Sequence, residues 1–214
     1  MPQFGRSSKP IIKDNRLAYI GDALDAFMAK LEIDKAHFIG NSMGGQAALK
    51  LAVDHPNRVD KVVVIGSGVI KAGSIFQPMP LEGIRNIANY YKDGGPSVEK
   101  MRQLLESLVS NKSLITDDLV QERFEASNDP ELIALAKHGA PGTEDLYFDL
   151  LKVKAKTLVV WGQDDRAGAL DVGLFMLRRL PDARMHIFPR CGHWAHVEYR
   201  AEFNRVVLNF FENT

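Results

Sequence analysis

A six-residue turn, Gly40-Asn41-Ser42-Met43-Gly44-Gly45, joins the apolar stretch Ala36 to Ile39 to a helical pattern running from about Met43 to Val53. Few backbone arrangements satisfy that order of strand, glycine-rich turn and helix. Ala36 to Ile39 reads as a short buried strand. Side chains at Gly40 and Gly44 are expected to collide with neighbouring backbone, so the turn is built from small residues. The spacing G-x-S-x-G in this context puts the Ser42 hydroxyl at a helix N-terminus, where the Met43 N–H can stabilise an oxyanion. Gly-rich strand–helix turns also build dinucleotide sites, but the G-x-G-x-x-G spacing of those sites is not matched.

The rest of the chain repeats the strand–helix alternation. The first fourteen residues read as loop, with Asp14-Asn15 as a helix cap. From Arg16 to Leu31 the residues Leu17, Ile20, Leu24, Phe27, Met28 and Leu31 recur at helical spacing. Lys61 to Gly66 is a β-branched run of the kind found in parallel sheets. Thr157 to Trp161 and Met185 to Phe188 read as two further buried strands, with a helix at Asp171 to Leu180 between them and another from Ala201 to Phe211. Such alternation implies a parallel sheet covered on both faces. From about Val69 to Lys152 the pattern is helical, broken by Pro78, Pro80, Gly94-Gly95-Pro96 and Pro141-Gly142. That stretch reads as a helical insertion placed where a lid would sit.

Composition narrows the partners. The 214 residues suffice for one domain with a real core. Lys+Arg and Asp+Glu both number 27, so no basic field exists to attract nucleic acid or an anionic membrane. The single cysteine, Cys191, excludes an internal disulfide framework and a cysteine-cluster metal site. The opening Met1-Pro2-Gln3-Phe4-Gly5-Arg6 is no signal peptide, and no apolar run is long enough to span a bilayer. The expectation is a soluble, cytoplasmic protein acting on a small molecule.

A nucleophilic serine needs a base. His193, in Cys191-Gly192-His193-Trp194, falls just past the last strand, at the carboxyl edge of the sheet. His37, His55 and His186 read as structural. His138 in the insertion and His196 beyond the tryptophan could touch substrate, though packing or surface roles suit them better. An acid should orient the imidazole, and Asp164 and Asp165, after the strand ending at Trp161, are nearly equal candidates in the Ser, Asp, His order. Cys191 reads as a buried small residue rather than a thiol nucleophile.

Further motifs give the chain a family likeness. They are Gly40-Asn41-Ser42-Met43-Gly44-Gly45, Phe76-Gln77-Pro78-Met79-Pro80-Leu81-Glu82-Gly83-Ile84, Asp164-Asp165-Arg166, and Cys191-Gly192-His193-Trp194 followed by Glu198 and Glu202-Phe203-Asn204-Arg205. The chain resembles the meta-cleavage-product hydrolases, α/β-hydrolases that cut a carbon–carbon bond in ring-opened aromatic catabolites. The likeness covers nearly its whole length. It implies an α/β-hydrolase core at 1–69 and 153–214, with about four parallel strands, and a helical lid at 70–152. It makes Asp165 rather than Asp164 the acid of a Ser42, Asp165, His193 triad, with Met43 as oxyanion donor. The family's lid arginine falls on Arg123, which with Asn41 and Trp194 would hold the carboxylate and oxo end of a 2-hydroxy-6-oxo-hexa-2,4-dienoate. No metal or organic cofactor is implied. The partner is the small-molecule dienoate, and self-association as a homo-oligomer is allowed.

The family's second oxyanion donor comes from a loop after an early strand, and nothing of that kind precedes Ser42. Met1 to Ser7 resembles the family's loop after a fourth strand, so the chain is expected to start one third of the way into the fold. Two rivals follow: a general carboxylesterase, which needs the triad but not Arg123, and a non-catalytic binding protein of the same fold. Dehalogenases and epoxide hydrolases place aspartate where this chain has Ser42. Finally, Ala167-Gly168-Ala169 stands where relatives carry bulky apolar residues, which predicts a roomier substrate site unless a lid residue such as Phe124 or Tyr147 fills it.

Overall fold

The structure, a computed structural model, describes residues 1–69, 74–138 and 144–213. The expected breaker Pro141-Gly142 lies outside the described residues. Four strands, β1 (Ala36–Asn41), β2 (Val59–Ile65), β3 (Lys156–Gly162) and β4 (Ala183–Phe188), form one parallel sheet in the order β1-β2-β3-β4. Helix α1 (Arg16–Lys30) precedes the sheet and is capped by Asn15, whose side chain accepts the Leu17 and Ala18 N–H groups. α2 (Met43–Asp54) connects β1 to β2. Between β2 and β3 lie α3 (Glu82–Asn89), α4 (Val98–Ser107), α5 (Asp117–Ser127) and α6 (Pro130–Lys137). α7 (Leu170–Arg179) joins β3 to β4, and α8 (Ala195–Glu198) and α9 (Arg200–Asn213) close the chain.

Alternation along the strands splits the core in two, as a period of two residues requires. Val62 and Val64 of β2, with Val159 and Trp161 of β3, pack against Leu17 and Met28 of α1, Leu49 and Leu51 of α2 and Met176 of α7. Val63, Ile65, Leu158 and Val160 point the other way, against Phe203, Val207 and Phe210 of α9. A third cluster, built on Tyr90, Met101, Leu105, Val109, Ile115 and Val120, belongs to the helical insertion. Leu146 and Leu150 are fully buried in the first cluster with the α2 leucines.

Expectations about burial are corrected at both edges of the sheet and on α1; β4 is an edge strand with Ile187 41% exposed, and only Phe188 in it is buried. β1 is an edge strand, as the expected late start of the chain implies, and it is not the buried strand its apolar run suggests: among the described residues no strand pairs on its outer side, and Ile39 is 54% exposed where its partner Val63 is fully buried. Phe27 and Leu31 of the α1 stripe are likewise 60% and 52% exposed. The apolar spacing was right for a helix, but it marks more surface than this fold covers. An apolar edge strand is a template for pairing with another chain. The chain should therefore self-associate, and Ile39→Lys should shift it toward monomer in sedimentation velocity. A wild-type chain that sediments as monomer at the same concentration contradicts this.

Candidate active site

The segments that follow the carboxyl ends of all four strands carry the candidate residues. At the end of β1 the backbone turns sharply into α2, and Ser42 takes φ 52° and ψ −120°, a conformation that a residue with a side chain holds only under strain, on the order of 1–3 kcal/mol. The Ser42 N–H donates to the Ile65 carbonyl (2.9 Å), and the Ser42 carbonyl accepts from Gly45 and Gln46. The small residues are required at Gly40 and Gly45. A methyl on Gly40 would stand 2.3 Å from the Gly44 carbonyl carbon, and one on Gly45 would stand 2.2 Å from Ser67 Oγ. Gly44, expected to be the second tight position, has open space at its Cβ, because it faces outward from the first turn of α2. The Met43 N–H opens α2 and has no acceptor among the described residues. It is one of the free donors that a helix N-terminus offers an anion.

Asp165 follows β3 and is buried, as is His193 beyond β4. Asp165 Oδ2 lies 2.8 Å from His193 Nδ1, while Asp165 Oδ1 accepts the Ala167 and Gly168 N–H groups at 2.7 and 2.8 Å. A carboxylate there accepts only, so the Nδ1 proton sits on the imidazole and Nε2 is left as the basic nitrogen. Asp164 is exposed, and its N–H donates to the Cys191 carbonyl, so the structure brings Asp165 rather than Asp164 to the imidazole. Among the described residues Ser42 Oγ makes no hydrogen bond. Its backbone meets the pair indirectly, through the end of β2.

Gly66 is that meeting point, and sequence reasoning passed it over. It has φ 57°, and a methyl on it would stand 2.7 Å from His193 Nδ1 and 2.9 Å from Asp165 Oδ2. The Ile65-Gly66-Ser67-Gly68 stretch after a strand was the available signal. Without the fold it reads as an ordinary loop.

The expected substrate residues are less closely gathered. Asn41 donates both amide hydrogens to backbone, to the Ile65 carbonyl (3.0 Å) and the His193 carbonyl (3.2 Å). The donors a substrate carboxylate would need are thus engaged, and Asn41 ties the serine turn to the histidine loop instead. Its Oδ1 alone is left to face a ligand. Trp194 is half-buried against the insertion's apolar cluster, against which Phe124 also packs. Arg123 lies on α5, exposed and without a partner among the described residues. The Gly83 N–H bonds the Arg166 carbonyl at 2.8 Å, and a Cβ on Gly83 would stand 3.0 Å from the Ala167 side chain, so the first turn of α3 packs directly against Ala167.

The remaining candidates take structural places. Burial, with Glu198 close by, pushes the Cys191 thiol well above the usual range, so it is no nucleophile at neutral pH. His196 is held below its usual range by burial first and by His193 second. His37 stacks on Phe211, and His186 packs on Phe188. His55 lies 3.8 Å from Asp22, and His138 is exposed. No cluster of three or more His, Cys, Asp or Glu suited to a metal ion occurs among the described residues.

Comparison with known proteins gives the arrangement relatives. A family model for the alpha/beta hydrolase fold matches residues 1–199. The chain is 42% identical over 217 aligned positions to a 2-hydroxy-6-oxo-6-phenylhexa-2,4-dienoate hydrolase of Burkholderia cepacia, covering 99% of this chain and 75% of the relative. It is 40% identical to a 2-hydroxy-6-oxononadienedioate/2-hydroxy-6-oxononatrienedioate hydrolase of a Pseudomonas species, covering 98% of this chain and 74% of the relative. Among solved structures, a meta-cleavage product hydrolase of Pseudomonas fluorescens superposes with TM-score 0.86 at 30% identity, over 99% of this chain and 77% of the other.

Because Gly66 has no room for a methyl, Gly66→Ala should displace the His193–Asp165 pair. A shift of about 1 Å costs on the order of 100-fold in kcat. Steady-state kinetics beside near-ultraviolet circular dichroism checks it; unchanged kcat in a folded variant contradicts it.

Proposed function

The chain belongs to the α/β-hydrolase fold family and, within it, to the hydrolases of aromatic ring-cleavage products, and on that premise we propose that it hydrolyses the carbon–carbon bond beside the 6-oxo group of a 2-hydroxy-6-oxo-hexa-2,4-dienoate. The observation that carries the site assignment is the buried 2.8 Å contact between His193 and Asp165 beside a serine held at a strained strand–helix turn. In this reading Ser42 Oγ attacks the C6 carbonyl carbon while His193 Nε2 takes its proton. The Met43 N–H steadies the negative oxygen that forms. The C5–C6 bond then breaks, and its electron pair flows into the dienoate, which must already be in its keto form to act as a sink. The C2 oxygen of the resulting dienolate takes up a proton as His193 gives up the one it received, which completes the 2-hydroxydienoate, and water releases the second product as a carboxylic acid.

Arg123 is the proposed grip on the substrate's own carboxylate, since an unpaired planar guanidinium can hold a carboxylate through two parallel hydrogen bonds. Trp194, packed against the insertion, completes that end, and Asn41 Oδ1, an acceptor, can take the hydrogen of the 2-hydroxy group before ketonisation but cannot hold the carboxylate. The helical insertion between β2 and β3 serves as a lid over a core made of the remaining residues. The reaction is assigned to the cytoplasm; among the described residues no helix is long and apolar enough to cross a membrane. A general carboxylesterase is the rival, favoured by the exposure of Arg123, since a simple ester has no carboxylate for it to hold.

The two separate on one variant. Arg123→Ala should cut kcat/KM for a dienoate by on the order of 10- to 100-fold, the worth of a charge-assisted hydrogen-bond pair, and leave an activated ester untouched. Equal loss on both substrates would make Arg123 structural, and turnover of the ester alone by the wild type would favour the esterase.

A further inference from the structure

Glu198, the last residue of α8, holds two separate stretches of chain with one side chain. Its Oε1 accepts the Gly192 N–H at 2.7 Å and lies 3.6 Å from the Cys191 thiol. Its Oε2 accepts the Ser110 and Asn111 N–H groups at 2.9 and 2.8 Å. The first stretch is the loop that carries His193, and the second follows α4 in the helical insertion. The same two stretches meet again where the His193 N–H donates to the Leu108 carbonyl at 2.8 Å. They are pressed close enough that a methyl on Gly192 would stand 2.7 Å from that carbonyl oxygen.

The acid loop grips the same segment from its other side. Arg166 Nη2 donates to the Glu106 and Val109 carbonyls, both at 2.7 Å, and Nη1 meets Glu82 at 3.0 Å. Segment 106–111 is thus clamped between the residues that follow Asp165 and those that flank His193. An ionised carboxylate is the group best suited to accept three backbone N–H groups at once, because these bonds are charge-assisted and about twice as strong as neutral ones. Glu198 has no ion-pair partner among the described residues, so backbone donors supply much of the stabilisation of its charge.

We propose that Glu198 is a positioning residue for the base: it locks the His193 loop to segment 108–111 of the insertion, so that imidazole placement and insertion placement are set together. Glu198 touches neither substrate nor the reacting atoms. It acts through the Gly192 N–H, next to His193, and through the Ser110 and Asn111 N–H groups of the insertion. A glutamine in its place keeps the shape but offers one accepting oxygen, and its NH2 must face N–H groups that also donate. An aspartate keeps the charge and falls short by one methylene.

The inference rests on the hydrolase reading above, so its test has an arm that needs no turnover. Glu198→Gln and Glu198→Asp are compared with wild type by steady-state kinetics on a 6-phenyl dienoate and an activated ester, normalised to folded protein. Loss of position without loss of binding should lower kcat on the order of 10- to 100-fold, with KM changed by less than about threefold and the aspartate variant intermediate. Hydrogen–deuterium exchange of both variants forms the second arm. Peptides covering 191–193 and 108–111 should exchange faster together in Glu198→Gln, ahead of the rest of the chain. Unchanged kcat per folded molecule, or faster exchange in only one of the two segments, overturns the proposal. If the wild type turns over neither substrate, the hydrolase reading fails and the exchange arm alone decides this one.

Discussion

The Ile65 carbonyl, at the carboxyl end of β2, accepts the Ser42 N–H, an Asn41 amide hydrogen and the Ser67 hydroxyl at 2.9, 3.0 and 3.0 Å. One residue further, Gly66 lies against the His193–Asp165 pair without space for a side chain. Everything the site needs is referred to this short stretch of backbone. β2 supplies it because it is buried on both faces and paired on both edges, so its end cannot drift. In open parallel sheets, ligands and chemistry collect outside the carboxyl ends of the strands, where loops diverge over a rigid edge.

Burying a carboxylate beside an imidazole costs solvation, and the site offsets that cost by saturating the carboxylate. Asp165 has two backbone N–H groups on one oxygen and the imidazole on the other. Removing one partner of such a pair costs on the order of 3–5 kcal/mol, because the other is left buried and uncompensated. Ala167, one of the two residues whose N–H groups satisfy Asp165, also lies against the first turn of α3. The loops that carry Asp165 and His193 therefore share their packing with the helical insertion, so the identity of the insertion residues matters to how that pair is held.

What was legible in the chain was local. The serine turn, the cap at Asn15, the β-branched run of β2 and the four strands each declare themselves within a dozen neighbours, because periodicity and turn chemistry act at short range. The pairing of His193 with an acid after β3 was legible as well, but the choice between Asp164 and Asp165 came from family likeness rather than from the residues. What stayed hidden depends on long-range placement. Asn41 bonds a carbonyl 152 residues away, and no pattern near Asn41 says that its amide is already spent. Gly44 and Gly45 look alike in sequence, and only the position of Ser67 decides which of them needs to be bare. The exposure of Ile39, Phe27 and Leu31 was equally invisible, since an apolar stripe announces a surface to cover and not whether the fold covers it.

The central claim is that Ser42, His193 and Asp165 together break a carbon–carbon bond in a ring-cleavage product. Product analysis tests it most directly. Incubated with 2-hydroxy-6-oxo-6-phenylhexa-2,4-dienoate, the chain should yield benzoate and a five-carbon 2-hydroxydienoate in equal amounts by chromatography, and Ser42→Ala should yield neither while still binding the dienoate. Loss of the dienoate without benzoate, or equal benzoate from Ser42→Ala, would contradict the account.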